Sequence, residues 1–237
     1  MGRKSAKIAN KKGAADKLKS QIYTKALVDV TIAAKSGGGD PETNFLLRIA
    51  MERCRKFNVP KDNIERAIKK GLGGDGDGYE DITYEGYGPH GVAIFVEAAT
   101  NNVTRTVANV RNFFNKNGGS LGTSGSLQFI FDRKAVFSIP KESLDEDEFT
   151  LEMIDAGAED IELEDNIFEV TGPMESFGTI QEKLQELSIT PEEAGLERIP
   201  TTYKAVNDEQ YADVEKILDL LNADDDVTTV YHNMEEA

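Results

Sequence analysis

From Ala135 to Ile199 the apolar spacing changes repeatedly between a period of two and a period near three and a half, and this constrains the fold more than any other feature. The segment AVFSI alternates as a strand. EDEFTLEMIDAG then aligns Phe149, Met153 and Ala156 on one helical face, and DIELE and IFEVT alternate again. FGTIQEKLQELS aligns Phe177, Ile180, Leu184 and Leu187 before the strand GLERI. The order βαββαβ predicts a ferredoxin-like split βαβ, an antiparallel sheet carrying two helices on one face.

The flanks predict a second copy. Strand VAIFVEA, helix TRTVANVRNFFNKN with Val103, Val107, Val110 and Phe114 aligned, and strand SLQFIF precede the segment. Strand TTYKAV, helix DEQYADVEKILDLL with Tyr211, Val214, Leu218 and Leu221 aligned, and strand VTTVYH follow it. ITYEGYG, just before Gly88-Pro89-His90-Gly91, supplies a hairpin partner. The expected fold class is therefore α+β, with one ferredoxin-like domain (134–199) inserted in another (79–133 plus 200–237). A contiguous arrangement, each βαβ half packing separately, is the alternative.

Ahead of these units the pattern is helical. A first helix runs from about Asp16 to Ser36, with Ile22, Ala26, Val30 and Ala33 in register, and Gly37-Gly38-Gly39 ends it. Asp40 is placed as an N-cap with Pro41 at the first helical position, and Leu46, Ala50, Cys54 and Phe57 stripe a second helix. Pro60 opens a third in which Ile64, Ala67 and Ile68 face inward, and Gly73-Gly74-Asp75-Gly76 releases the chain. The expectation is a separable three-helix domain over residues 1–78.

Charge divides along the same lines. Residues 1–72 carry 17 Lys and Arg against 7 Asp and Glu, whereas residues 141–237 carry 5 against 29. The whole chain is acidic, at -16. Solubility needs no segregation by sign, so a basic head on an acidic protein points to phosphate contact. The residues expected to bind nucleic acid are Arg3, Lys4, Lys7, Lys11, Lys12, Lys17, Lys19, Lys25, Arg55, Lys69 and Lys70. Lysine outnumbers arginine in the leader and no aromatic residue precedes Tyr23, a composition suited to phosphate contact and poorly suited to base readout. The expected partner is DNA or ribosomal RNA, with the ribosome as a possible assembly.

Other chemistry is thinly supplied. The single cysteine, Cys54, reads as core, and there is no Cys/His set at metal-ligand spacing, so neither a metal nor a cofactor is expected. His90 in a Gly-Pro-His-Gly turn and His232 in a terminal strand are the only near-neutral bases, and no nucleophile is paired with either. The glycine-rich run Gly118 to Ser126 follows a helix instead of opening one, which removes the helix-dipole argument for a phosphate site; a flexible contact loop is expected there. Asp145-Glu146-Asp147-Glu148 and Asp224-Asp225-Asp226 lack the spacing of a calcium loop and read as solvated carboxylates at helix ends. No small-molecule substrate and no enzymatic activity are expected. No apolar run reaches the roughly 20 residues of a membrane span and the start MGRKSAKIANKKGAADK has no apolar signal core, so no membrane contact and a cytoplasmic location are expected.

Several stretches together resemble one family. They are Ala34-Lys35 with Gly37 to Pro41, Pro60 to Ile68 as PKDNIERAI, Tyr84 to Pro89 as YEGYGP, Asn102 to Arg111 as NVTRTVANVR, Asn117 to Gly122 as NGGSLG, and Val230 to Asn233 as VYHN. On these the chain is identified as resembling the YebC family, which includes bacterial probable transcriptional regulators and the mitochondrial translational activator of cytochrome c oxidase. The resemblance implies a helical N-terminal domain, two α/β domains and no enzymatic activity. It implies a role in DNA-binding transcriptional regulation, or in ribosome-associated translation through difficult stretches such as proline runs. Many members begin with a Gly-His-Ser-Lys-Trp-like leader; this chain has Gly2-Arg3-Lys4-Ser5-Ala6-Lys7 and no Trp, so contacts needing that ring or imidazole do not carry over.

Overall fold

The structure is a computed structural model and describes residues 22–73 and 80–235. In chain order the helices and strands are α1 (22–37), α2 (Phe45–Lys56), α3 (Lys61–Gly71), β1 (Glu80–Tyr87), β2 (Ala93–Thr100), α4 (Val103–Lys116) and β3 (Ser120–Leu121). They continue as β4 (Phe131–Pro140), α5 (Glu146–Asp155), β5 (Asp160–Glu164), β6 (Ile167–Pro173), α6 (Phe177–Glu186), β7 (Glu193–Pro200), α7 (Asp208–Asn222) and β8 (Val227–His232). Two compact units result: one takes residues up to Ser124 together with Asn207–Val230, the other Gly125–Val206 together with Tyr231 onward.

The three helices close around Ala26, Val30, Ala33, Ala34, Leu47, Ala50, Cys54, Val59, Ile64 and Ala67. The second helix starts later than Asp40 and Pro41 suggest. Asp40–Thr43 form a turn, in which Asp40 Oδ1 accepts from the Glu42 amide, and the N-cap is Asn44. Asn44 wins because its amide does more than one job: Oδ1 accepts from the Leu47 amide, while Nδ2 donates at 2.8 Å to the carbonyls of both Ala33 and Gly38. A buried carboxylate has no donor to offer those carbonyls, so an aspartate could not tie the two helix ends together in this way. The buried face carries Leu47, Ala50 and Cys54, and Phe57 is exposed. α3 approaches α1 so closely that a Cβ on Gly71 would sit 2.4 Å from the Thr31 carbonyl oxygen, and only glycine permits that contact.

The fold is α+β, with one sheet interrupted in sequence by the other: the strand orders are β3-β1-β2-β8 and β5-β6-β4-β7. The second is the ferredoxin-like order read from βαββαβ, with β4 pairing antiparallel to both β6 and β7, and β5 antiparallel to β6. The first has a different order: counted along the chain its strands lie third, first, second, fourth, against second, third, first, fourth in the other. Neither SLQFIF nor TTYKAV is a strand: 124–130 is a series of turns, and around 201–206 only Lys204 makes an isolated bridge, to Met234. Their places are taken by the two-residue β3 and by β1, which lies along β2 from Glu80↔Thr100 to Tyr87↔Ala93. The tight hairpin at Gly88–Gly91 brings β1 onto β2 at a lower loop-closure cost than a segment beyond the insertion would have.

Candidate nucleic-acid interface

Of the residues expected to contact phosphate, Arg3, Lys4, Lys7, Lys11, Lys12, Lys17 and Lys19 lie outside the described residues. Lys25, Arg55, Lys69 and Lys70 are described, and they fall into different settings. Arg55 ends α2 beside Arg53 and Lys56, and Lys69 and Lys70 end α3. Cations in a last helical turn complement the exposed carbonyls and negative end of the helix, so these positions have a local reason to be basic. Arg55 and Lys69 are exposed; Lys70 is half-buried.

Lys70 shares the side of α3 that carries Asn63, Arg66 and Ala67, one turn apart, and this side borders a cavity of about 390 Å³ between α3 and α1. Leu27, Val28 and Ile32 of α1 and Ala99 of β2 give the cavity apolar walls. Thr31 lines it as well, but its hydroxyl is turned back to the carbonyls of Leu27 and Ala67. Arg66 stays exposed, with Nε donating to the Asp62 carbonyl and a terminal nitrogen to Asn63 Oδ1 at 2.8 Å. The result is an apolar recess with a fixed guanidinium and an ammonium at its edge. Arg66 joins the candidate residues although it is not among those expected from the sequence; its helical spacing from Lys70 is the signal that points to it.

Lys25 stands apart. It is half-buried, and burial holds its ammonium below the ordinary lysine value, against the opposing pull of Asp29 and Asp224; Arg53, itself 3.5 Å from Asp29, pushes in the same direction as burial. Lys25 therefore shares its surroundings with internal carboxylates in a way that Arg55 and Lys69 do not. Arg48 lies over the Phe45 ring, 5.3 Å from its centroid, which fixes another cation on α2.

The acidic turn after α7 corrects the sequence reading. Asp226 is buried, with its side chain 10% exposed, and is not a solvated carboxylate. Arg105 Nη2 lies 2.7 Å from both of its oxygens, and Thr106 Oγ1 donates to Oδ2 at 2.7 Å while lying 2.8 Å from Thr100 Oγ1. The Asp226 carbonyl accepts from the Ala99 amide, and Asn109 Nδ2 donates to Asp224 Oδ2. This network joins the start of α4 to the turn that launches β8, and its groups satisfy one another. It gives Arg105, Thr106 and Asn109 of NVTRTVANVR a structural role.

The glycine-rich run is not wholly a loop: Ser120–Leu121 pair with β1, and the Gly122 amide donates to the Glu85 carbonyl. A Cβ on Gly119 would meet the Tyr87 carbonyl oxygen at 2.6 Å, so the glycine there serves close packing of an edge strand. His90 sits at φ 60° in its turn, with Nε2 3.2 Å from Asp213 Oδ2. Lys216 and His90 together hold the Asp213 carboxyl below its usual value. Among the described residues no group of His, Cys, Asp and Glu is placed to hold a metal ion, and no helix is long and apolar enough to cross a membrane.

Comparison with known proteins decides the family. The pattern described as TACO1/YebC protein N-terminal domain matches residues 3–74, and that described as TACO1/YebC second and third domain matches residues 79–234. The chain belongs to the TACO1/YebC family. A relative from Parabacteroides distasonis is 48% identical over 92% of this chain and 90% of its own length, and one from Persephonella marina is 46% identical over 96% and 92%. Both are described as a probable transcriptional regulatory protein. The crystal structure of a conserved hypothetical protein from Aquifex aeolicus matches with a TM-score of 0.79 at 36% identity, over 91% of this chain and 90% of that one. The family thus accounts for both the helical module and the two sheets.

Proposed function

We propose that this chain is a non-enzymatic regulator of gene expression that grips nucleic acid through its basic helical N-terminal module. The observation that carries the reading is the separation of charge, with 17 Lys and Arg against 7 Asp and Glu in residues 1–72 of a chain whose total is -16. A polyanion approaching such a molecule is attracted at one end and repelled elsewhere, which orients it before contact. Arg55, Lys69 and Lys70 extend the basic character of the leader onto α2 and α3, and Arg66 adds a fixed guanidinium beside Lys70. The description of the relatives favours DNA and transcription as the setting.

Ribosomal RNA is the second target, since the lysine-dominated leader offers point charges to phosphate whichever nucleic acid carries it. The test is binding to random duplex DNA and co-sedimentation with ribosomes, both across a salt series, for the intact protein and for Lys11, Lys12, Lys17 and Lys19 each changed to Glu. A phosphate binder loses affinity and up to about one unit of salt slope per lost contact. Ribosome binding that survives salt which abolishes DNA binding assigns the protein to translation. Unchanged affinity and slope in the charge-reversed protein would refute nucleic-acid binding by the head.

A further inference from the structure

We infer that the recess between α1 and α3 takes one nucleoside 5′-phosphate, with the base between its apolar walls and the phosphate on Arg66. This rests on the proposed contact with nucleic acid and names the unit of that ligand which one site holds. At about 390 Å³ the recess falls within the range of pockets that bury small ligands, roughly 300–1,000 Å³.

The walls are set before any ligand arrives. The Thr31 hydroxyl lies 3.3 Å from the Ala67 carbonyl oxygen, and the close approach at Gly71 holds α3 against α1. Leu27, Val28 and Ile32 on α1, Ala67 on α3 and Ala99 on β2 make the lining largely aliphatic. A flat ring slotted among such side chains sheds water from its faces, which is how flipped bases are held in enclosed sites.

Polar groups converge on the α3 side. Arg66 donates through Nε to the Asp62 carbonyl and through a terminal nitrogen to Asn63 Oδ1. These bonds fix the plane of the guanidinium and direct its other N–H groups to an oxyanion, so little side-chain entropy is lost on binding. Because Oδ1 of Asn63 is spent on Arg66, that side chain offers the recess its Nδ2 donor, suited to an acceptor on a base edge. Lys70 adds positive charge one turn along α3.

The sign of the lining agrees. The chain has 43 Asp and Glu, yet none is among the residues that line the recess. Asp81, opposite Ala99 in the β1–β2 register, lies 3.8 Å from Lys35. An acyl chain would leave Asn63 and Arg66 unused, and inorganic phosphate would leave the aliphatic walls unused. A nucleotide engages both. A paired base is stacked within its duplex, so the unit must come as an unpaired residue of a strand or as a free nucleotide.

The test uses the full-length protein with AMP, with a duplex carrying one bulged 2-aminopurine, and with the same duplex fully paired. The bulged duplex should bind more tightly than the paired one, with a change in 2-aminopurine emission. Val28→Phe fills the recess without altering charge, and should abolish AMP binding and bring the bulged duplex to the affinity of the paired one. Ile32→Phe fills it from the next turn and serves if the first variant fails to fold. Arg66→Ala should weaken AMP and the bulged duplex by about 10- to 100-fold, with Arg66→Lys recovering part of the loss. Preference for the bulge without AMP binding assigns the ligand to a strand; AMP binding without that preference assigns it to a free nucleotide. No AMP binding together with equal affinity for the two duplexes overturns the inference, as does binding that both filling variants leave unchanged. Duplex binding indifferent to reversal of Lys11, Lys12, Lys17 and Lys19 overturns the reading of the head instead, and AMP then decides the recess by itself.

Discussion

The two sheets differ in strand order and are held by different forces. In β5-β6-β4-β7 the helices are fixed by apolar contact: Phe137 stacks on Phe177 with centroids 4.9 Å apart, Phe149 meets Phe168 at 4.6 Å, and Ile180 and Leu184 are fully buried. In β3-β1-β2-β8 the apolar layer of Val110, Phe114, Val214, Ile217 and Leu221 is joined by the buried Asp226 with Arg105 and Thr106. The first of these sheets is contiguous in sequence, whereas the second must recover α7 and β8 from beyond the insertion. Apolar packing rewards any close approach, but a buried carboxylate rewards only the arrangement that brings its donors to it. The contrast indicates that directional polar contact is used where the chain returns from a distance.

The largest effect belongs to the apolar side. Phe137→Ala should cost about 3–5 kcal/mol and open the contiguous sheet, seen as accelerated hydrogen exchange at β6 amides with β2 amides protected. The converse change tests the polar lock. Asp226→Ala should cost about 3 kcal/mol, at the low end for a broken buried pair because the Arg105 side chain is 48% exposed, and should release β2 and β8 while β6 stays protected. Equal exchange at both sheets in either variant would break the contrast.

Asn44→Ala offers a smaller, third comparison within the helical module, since it removes a cap and leaves the Ala33 and Gly38 carbonyls without their donor. A loss of about 1–2 kcal/mol in urea unfolding is expected. Asn44→Asp keeps the cap acceptor but sets a buried carboxylate against the Ala33 and Gly38 carbonyls, so it should recover none of the loss.

The smallest effect concerns Cys54. Burial pushes its thiol up to about 11 from 9.0, with a further push from Asp29. The folded form keeps the proton longer than the unfolded form, so the stability this group contributes is present below pH 9 and is lost as pH rises toward 11. Cys54→Ser should flatten that part of the pH profile. Slow reaction of native Cys54 with a thiol reagent at neutral pH checks the same burial.

Sequence alone determined the elements whose cause is local. The helices of the inserted unit appear with their apolar faces as spaced, Phe149 and Met153 on one and Ile180 and Leu184 on the other, because one periodic stripe suffices to specify an amphipathic helix. The separation of charge is likewise a property of composition, and it carries the proposed contact with nucleic acid.

What tertiary structure decided is where several segments compete for one place. SLQFIF and TTYKAV alternate acceptably as strands, but β1 occupies the edge of β2 through a short hairpin, and alternation says nothing about which partner is available. Asp40 and Asn44 are both sound caps by residue type; only the nearness of the Ala33 and Gly38 carbonyls selects the side chain that can also donate. Asp226 differs from its neighbour Asp225 in being buried against Arg105 and Thr106, which lie far away in sequence. In each case the deciding energy belongs to a pair of groups, and a single position in the sequence does not record its partner.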